Sequence, residues 1–246
     1  MRRILLAALL LASVAIRPAM ASPDCPFSPD IAAPTVAPGS LPHVAAALKA
    51  SRLDILALGS GSVLGPNGRS EGSFADHMAQ DLRAAFPGVD IRLTVQGQRG
   101  MTATAMLPML IQELDGHGID LVIWQTGTVE AVRRLPAAEL GRTLDTGAEA
   151  VRRVGADLVL VDPQFSRLLQ SHAELVPYRQ ALDQVARRNQ IVLFHRFDLI
   201  RHWVEAGGVD LETARRADRA KIADRLSACL GQALAATLLR GAGLAQ

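Results

Sequence analysis

The residues best suited to chemistry gather in one short loop, Gly59-Ser60-Gly61-Ser62-Val63-Leu64-Gly65, directly after an apolar run. Its glycines let the backbone turn sharply and approach a ligand closely. A serine exposed on such a turn attacks an ester only when a base takes its proton and donors hold the developing oxyanion. Ser60 and Ser62 are the candidate nucleophiles. His195 and His202 follow the last β-type run and are the candidate imidazole bases, a packed loop histidine being the alternative reading of each.

Other chemistries fit the loop less well. A dinucleotide fingerprint needs a helix to start at once after its glycines, so that the helix N-terminus meets the pyrophosphate. Here Pro66-Asn67-Gly68 intervenes, a helix is expected only near Ser73, and no acid for a ribose follows Val95-Gln96. No Gly-Lys-Ser/Thr follows to make a phosphate-cradling loop. No His-x-x-x-His or similar spacing occurs, so neither a metal nor a cofactor is expected. A plain connector of turn residues is the remaining alternative.

The elements that must position this loop are readable from periodicity. Five β-type runs cover Leu53–Leu58, Val89–Val95, Ile119–Gln125, Asp157–Val161 and Ile191–Phe194. Between them, helical spacing covers Phe74–Phe86 and about 102–116, 137–154, 173–188 and 214–240. Alternating strands and helices imply a three-layer αβα sandwich with a five-stranded parallel sheet, of the flavodoxin-like kind. In such folds the functional crevice lies outside the carboxyl ends of the strands, where the Gly59 loop begins. Trp124, near the end of the third run, is expected to pack in the core or line that crevice. The stripe of Met101, Met106 and Met109 is expected to fill core.

Four blocks then carry a resemblance that extends over nearly the whole chain. Leu58-Gly59-Ser60-Gly61-Ser62, Gln96-Gly97-Gln98-Arg99-Gly100, Trp124-Gln125-Thr126-Gly127-Thr128 and the segment opening at Asp218 occur in order. In that order they resemble the motif blocks of the SGNH (GDSL-like) hydrolases. The resemblance implies an SGNH hydrolase fold and, where the site is complete, hydrolysis of ester bonds.

Carried over residue by residue, the resemblance implies a degenerate site. The family's nucleophilic serine falls on Gly61, its asparagine donor on Val129, the neighbouring acid on Glu130 and its base histidine on Lys221, three residues after Asp218. The oxyanion glycine is retained as Gly100. Two functions follow from these matches. One is a non-catalytic envelope protein, a pseudoenzyme that binds an acylated or glycan ligand or a protein partner. The other is an active esterase or acylhydrolase that uses Ser60 or Ser62, with His202 or Lys221 as base. A lysine serves as base only when burial lowers its pKa by several units. Arg215, Arg216, Asp218, Arg219, Asp224 and Arg225 instead place Lys221 on a charged face.

The N-terminus predicts export. Met1-Arg2-Arg3 is a basic start, Ile4 to Ile16 is almost wholly apolar, and Ala19-Met20-Ala21 supplies small residues for cleavage before Ser22. Residues 1–21 read as a signal peptide, 22–42 as a proline-rich extended arm and 43–246 as the hydrolase-like domain. The expected location is a bacterial periplasm or the medium, with no integral membrane segment after signal cleavage. Without residues 1–21 the chain carries 23 basic against 24 acidic residues, which leaves no electrostatic footprint for nucleic acid. In an oxidising compartment Cys25 and Cys229 are expected to form one disulfide, two buried thiols being the alternative.

Overall fold

The computed structural model describes residues 29–33, 36–65, 70–116 and 118–244. The signal-peptide reading over 1–21, Cys25, and the Pro66-Asn67-Gly68 interruption lie outside the described residues.

Strands β1 (Arg52–Gly59), β2 (Asp90–Gly97), β3 (Leu121–Gln125), β4 (Asp157–Val161) and β5 (Val192–Phe194) form one sheet in the order β2-β1-β3-β4-β5. All four pairings are parallel. Successive side chains of a strand point to opposite faces, and the burial divides accordingly. Leu53, Ile55, Ala57, Leu121, Ile123, Val159 and Val161 enter one core, while Leu56, Leu58, Val122, Trp124, Leu158 and Leu160 enter the other. Both faces are apolar because both are covered, as parallel crossovers require.

Ten helices span the described residues: α1 (Pro29–Ala32), α2 (Pro42–Lys49), α3 (Phe74–Ala85), α4 (Ala103–Gly116), α5 (Thr128–Val132), α6 (Ala137–Arg153), α7 (Arg167–His172), α8 (Val176–Asn189), α9 (Arg196–Glu205) and α10 (Arg219–Gly241). Helices α2, α3, α9 and α10 contribute to the first core, and α4, α6 and α8 to the second. Helix α3 starts where Ser73 Oγ accepts the Asp76 N–H at 3.2 Å, an N-cap that satisfies one otherwise unpaired donor. Helix α6 presents Leu140, Leu144, Ala148 and Val151 to the core and stops before Gly155, whose φ of +73° terminates it.

Three local features differ from the sequence reading. Residues 22–42 are not uniformly extended, since α1 forms within the described part and Ala32, Ala33 and Leu41 are buried. Helix α2 was not expected; the carboxylate of Asp157, at the amino end of β4, holds its first turn by accepting the Val44 N–H at 2.9 Å. The last helix begins at Arg219 rather than near 214, because the preceding segment is turned. There Asp210 Oδ1 accepts the N–H groups of Glu212 and Thr213 at 3.0 and 3.4 Å.

By length and composition α10 is apolar enough to cross a membrane, and half of that stretch is buried. Its Gly231 lies so close to α3 that an added Cβ would fall 2.7 Å from Met78 N.

The strand order reverses direction between β1 and β3, the switch point outside which folds of this kind place their ligand crevice. The paired ends of β1 and β2 need glycine at Gly97. Its φ is +134°, and a Cβ there would lie 1.9 Å from the Gly59 carbonyl oxygen.

Candidate functional site

Gln125, the last residue of β3, ties the crevice to the Gly59 loop. Its buried Oε1 accepts the Ser60 N–H at 3.3 Å and the Ser62 hydroxyl at 3.2 Å. Ser62 Oγ in turn accepts from Arg196 Nη1 at 2.8 Å. The Ser62 proton therefore points at an amide oxygen, and its lone pair points at a cation. Neither arrangement raises the nucleophilicity of an alcohol.

Ser60 is also engaged. It is buried, and its Oγ accepts the Gly100 N–H at 3.0 Å. The amide that the sequence marks as an oxyanion donor thus bonds a side chain of the same site. Gly61, onto which the family resemblance carries the nucleophile, is partly exposed. An added Cβ there would meet Arg99 Nη1 at 3.2 Å, so a guanidinium covers the position. Arg99 is steadied by donating from Nη2 to the Gly65 carbonyl at 3.3 Å.

The remaining sequence candidates are not gathered around these serines. Val129 lies half-buried in the first turn of α5 and carries no polar atom on its side chain. Glu130 is buried and structural. Its Oε1 accepts the Ala103 N–H at 2.5 Å and the Thr126 hydroxyl at 3.3 Å, while Oε2 accepts the Gly127 N–H at 2.9 Å. It thereby ties the start of α4 to the β3 loop. His202 is exposed on α9 and Lys221 is exposed in the first turn of α10. Asp218 precedes that turn and accepts from Arg215 Nε at 2.8 Å. Among the described residues, no imidazole, ammonium or carboxylate hydrogen-bonds Ser60 or Ser62.

Trp124 does not line the crevice. It is fully buried, donates from Nε1 to Met106 Sδ at 3.3 Å, and leaves no room for a Cβ on Gly147. Cys229 is buried in α10; its expected partner Cys25 lies outside the described residues.

Beneath the loop lies a group of charges that the sequence did not announce. Arg196, at the start of α9, is only 1 % exposed. Besides Ser62 it donates from Nε to the Asp162 carbonyl at 3.2 Å. Burial pushes its guanidinium down to about 10, against the opposing pull of Asp162. Asp162 is itself buried, and burial raises its carboxyl above the ordinary range although Arg179 works against the shift. Its Oδ1 accepts the Phe197 N–H at 2.8 Å and its Oδ2 accepts from Arg179 Nε at 3.0 Å. Arg179 also bonds Asp198 and stacks 4.2 Å over the Phe197 ring. Asp162, His195 and Asp198 bring donor atoms within 4.8 Å of one another. Because the Arg179 guanidinium bonds both carboxylates, this cluster reads as an ion-pair network rather than a cation site. No sequence signal marks Arg196, since an arginine flanked by His195 and Phe197 looks like any helix-start residue.

Comparison with known proteins agrees with this architecture. A model of the non-GDSL lipase-like family matches residues 24–244. A two-domain esterase (CEX), active on acetylated mannans, is similar at a TM-score of 0.66 and 15 % identity, covering 88 % of this chain and 58 % of its own. The psychrotrophic esterase EstA from Pseudoalteromonas sp. is similar at a TM-score of 0.54 and 16 % identity, covering 74 % of this chain and 98 % of its own. TesA is similar at 0.53 and 18 % identity, covering 72 % and 97 % respectively. At these identities the likeness is one of fold. No curated protein matches the sequence.

Proposed function

Because this chain belongs to the non-GDSL lipase-like family, and so to an SGNH hydrolase-like fold, we propose that it is an exported, non-hydrolytic member that uses the crevice between β1 and β3 for binding. The observation that carries this reading is the fate of the nucleophile position. Gly61 offers no side chain, Arg99 covers it, and the serines on either side are bonded to Gly100, Gln125 and Arg196. Ester hydrolysis through a serine needs a base within hydrogen-bond reach, at about 2.6–3.2 Å. Of the bases the sequence offers, His202 and Lys221 are exposed and His195 is half-buried, and none of the three makes such a contact.

The related two-domain esterase acts on acetylated mannans; by analogy the ligand here is an envelope or extracellular molecule met without turnover. Export rests on residues 1–21, and the pairing of Cys25 with Cys229 follows from that location.

The test uses purified protein with short-chain acyl esters and a fluorophosphonate probe. Neither turnover nor labelling is expected at concentrations where an active esterase labels fully. Labelling that disappears on Ser62→Ala or Ser60→Ala would establish the alternative, an active esterase. Intact mass of the exported protein checks the start at Ser22 and, before and after reduction, the disulfide.

A further inference from the structure

Two arginines converge on the crevice from different elements. Arg99 leaves the end of β2, and its Nη1 lies 3.2 Å from the position of a Gly61 Cβ. Arg133, just after α5, brings Nη2 to 3.4 Å from the position of a Gly100 Cβ. These glycines face one another through Ser60, which neighbours Gly61 in the chain and accepts the Gly100 N–H. Both side chains are exposed at the rim. Beyond its main-chain N–H, which donates to the Val129 carbonyl at 3.0 Å, Arg133 has no hydrogen bond or ion pair among the described residues. Both guanidinium groups thus lie within van der Waals reach of the backbone at Gly61 and Gly100.

Guanidinium groups carry planar arrays of donors that match carboxylate and phosphate oxygens, and they keep their charge at any ordinary pH. A neutral acyl ester offers only a weak acceptor in return. Resting on the binding function proposed above, we infer that the crevice selects an oxyanion, a carboxylate or phosphate group on its ligand, held between Arg99 and Arg133. The site where an esterase would meet a neutral ester is converted into one that prefers a charged group.

Calorimetric titration of the full chain tests this with three probes: trigalacturonate, inorganic phosphate and neutral mannotriose. Binding of trigalacturonate or phosphate, weakened by added salt and at least tenfold tighter than mannotriose, is expected. Preference for trigalacturonate identifies a carboxylate ligand, and preference for phosphate a phosphorylated one. Arg133→Gln, which removes an unbonded exposed side chain, is expected to leave the melting temperature unchanged and to weaken binding about tenfold, the loss of one charge-assisted contact. Arg99→Gln is expected to weaken binding similarly, with circular dichroism checking that the contacts Arg99 makes within the protein are not needed for folding. Mannotriose binding as tight as the charged probes, no binding of either charged probe, or charged-probe binding untouched by both variants overturns the inference. Ester turnover, by contrast, would overturn the non-hydrolytic function and leave the charge preference to be read independently.

Discussion

Arg196 Nη1 donates to Ser62 Oγ across 2.8 Å, joining two residues 134 positions apart in the chain. The same guanidinium holds the Asp162 carbonyl. One buried cation therefore fixes the Gly59 loop against the carboxyl end of β4. Burying a charge is tolerated only when its donors are met, and removing one member of such a set leaves the others unsatisfied.

Arg196→Ala is thus expected to destabilise the fold by about 1–3 kcal/mol for each buried acceptor it leaves unmet, the Ser62 hydroxyl and the Asp162 carbonyl. Arg196→Lys keeps the charge and loses the fork, and is expected to fall between the two. Urea denaturation followed by circular dichroism gives both values. Equal stability of Arg196→Ala and the wild type would mean that the loop holds its place without this contact.

Glu130→Ala removes the acceptor shared by the Ala103 N–H, the Gly127 N–H and the Thr126 hydroxyl. Each buried donor left unmet costs about 1–3 kcal/mol, so a loss of at least about 2 kcal/mol is expected. Glu130→Gln retains one good acceptor and is expected to lose less. The order of the two midpoints in urea is the measurement, and a reversed order would show that the carboxylate charge is itself unfavourable there.

Asp157 gives a pH signature. Burial raises its carboxyl above the ordinary value of 3.8, although the Val44 N–H pulls the other way. The native state therefore holds this proton more tightly than the unfolded chain, and unfolding releases it. The stabilising contribution is present in full below pH 3.8 and is lost as pH rises through the higher folded value. Relative to Asp157→Asn, the wild type should lose stability with rising pH in that window. Parallel pH profiles for the two proteins would remove Asp157 as the source.

Gly61→Ser places a hydroxyl at the position onto which the family resemblance carries the nucleophile. Gly61 does not have a left-handed backbone, and the atom in the way is the end of a flexible arginine. The variant is expected to fold with a stability change within about 1 kcal/mol. It is also expected to remain inactive toward acyl esters, because no base reaches that position. Turnover by Gly61→Ser alone, read with a chromogenic ester, would point to a general base that the present contacts do not reveal.

The fold was legible in the sequence because it depends on repeated patterns. Strand runs such as Asp157–Val161 are apolar throughout, and the helix after the Gly59 loop announces itself through Ser73 and a four-residue stripe. Helix α2 escaped because its decisive cap, Asp157, comes from a strand more than a hundred residues away. The site was legible only through the order of its motif blocks. Motif order carried the family's positions onto Gly61, Val129 and Lys221, but it could not tell what surrounds them. Arg99 was visible as part of a block, whereas its reach over Gly61 depends on a side-chain path. Arg196 and Gln125 act through contacts 134 and 63–65 residues away, and nothing local distinguishes them.

The contact between Ser60 Oγ and the Gly100 amide has one more implication. A hydrolase keeps such a donor ready for an oxygen that becomes negative only as the reaction proceeds. Here a resident hydroxyl competes for that donor before any guest arrives. A newcomer must displace it, and a weak carbonyl acceptor has little with which to win the exchange. An oxygen that already bears full charge enters with a stronger claim. On the charge preference inferred above, the loop would sort its visitors by the charge they carry on arrival, rather than by the charge they could develop.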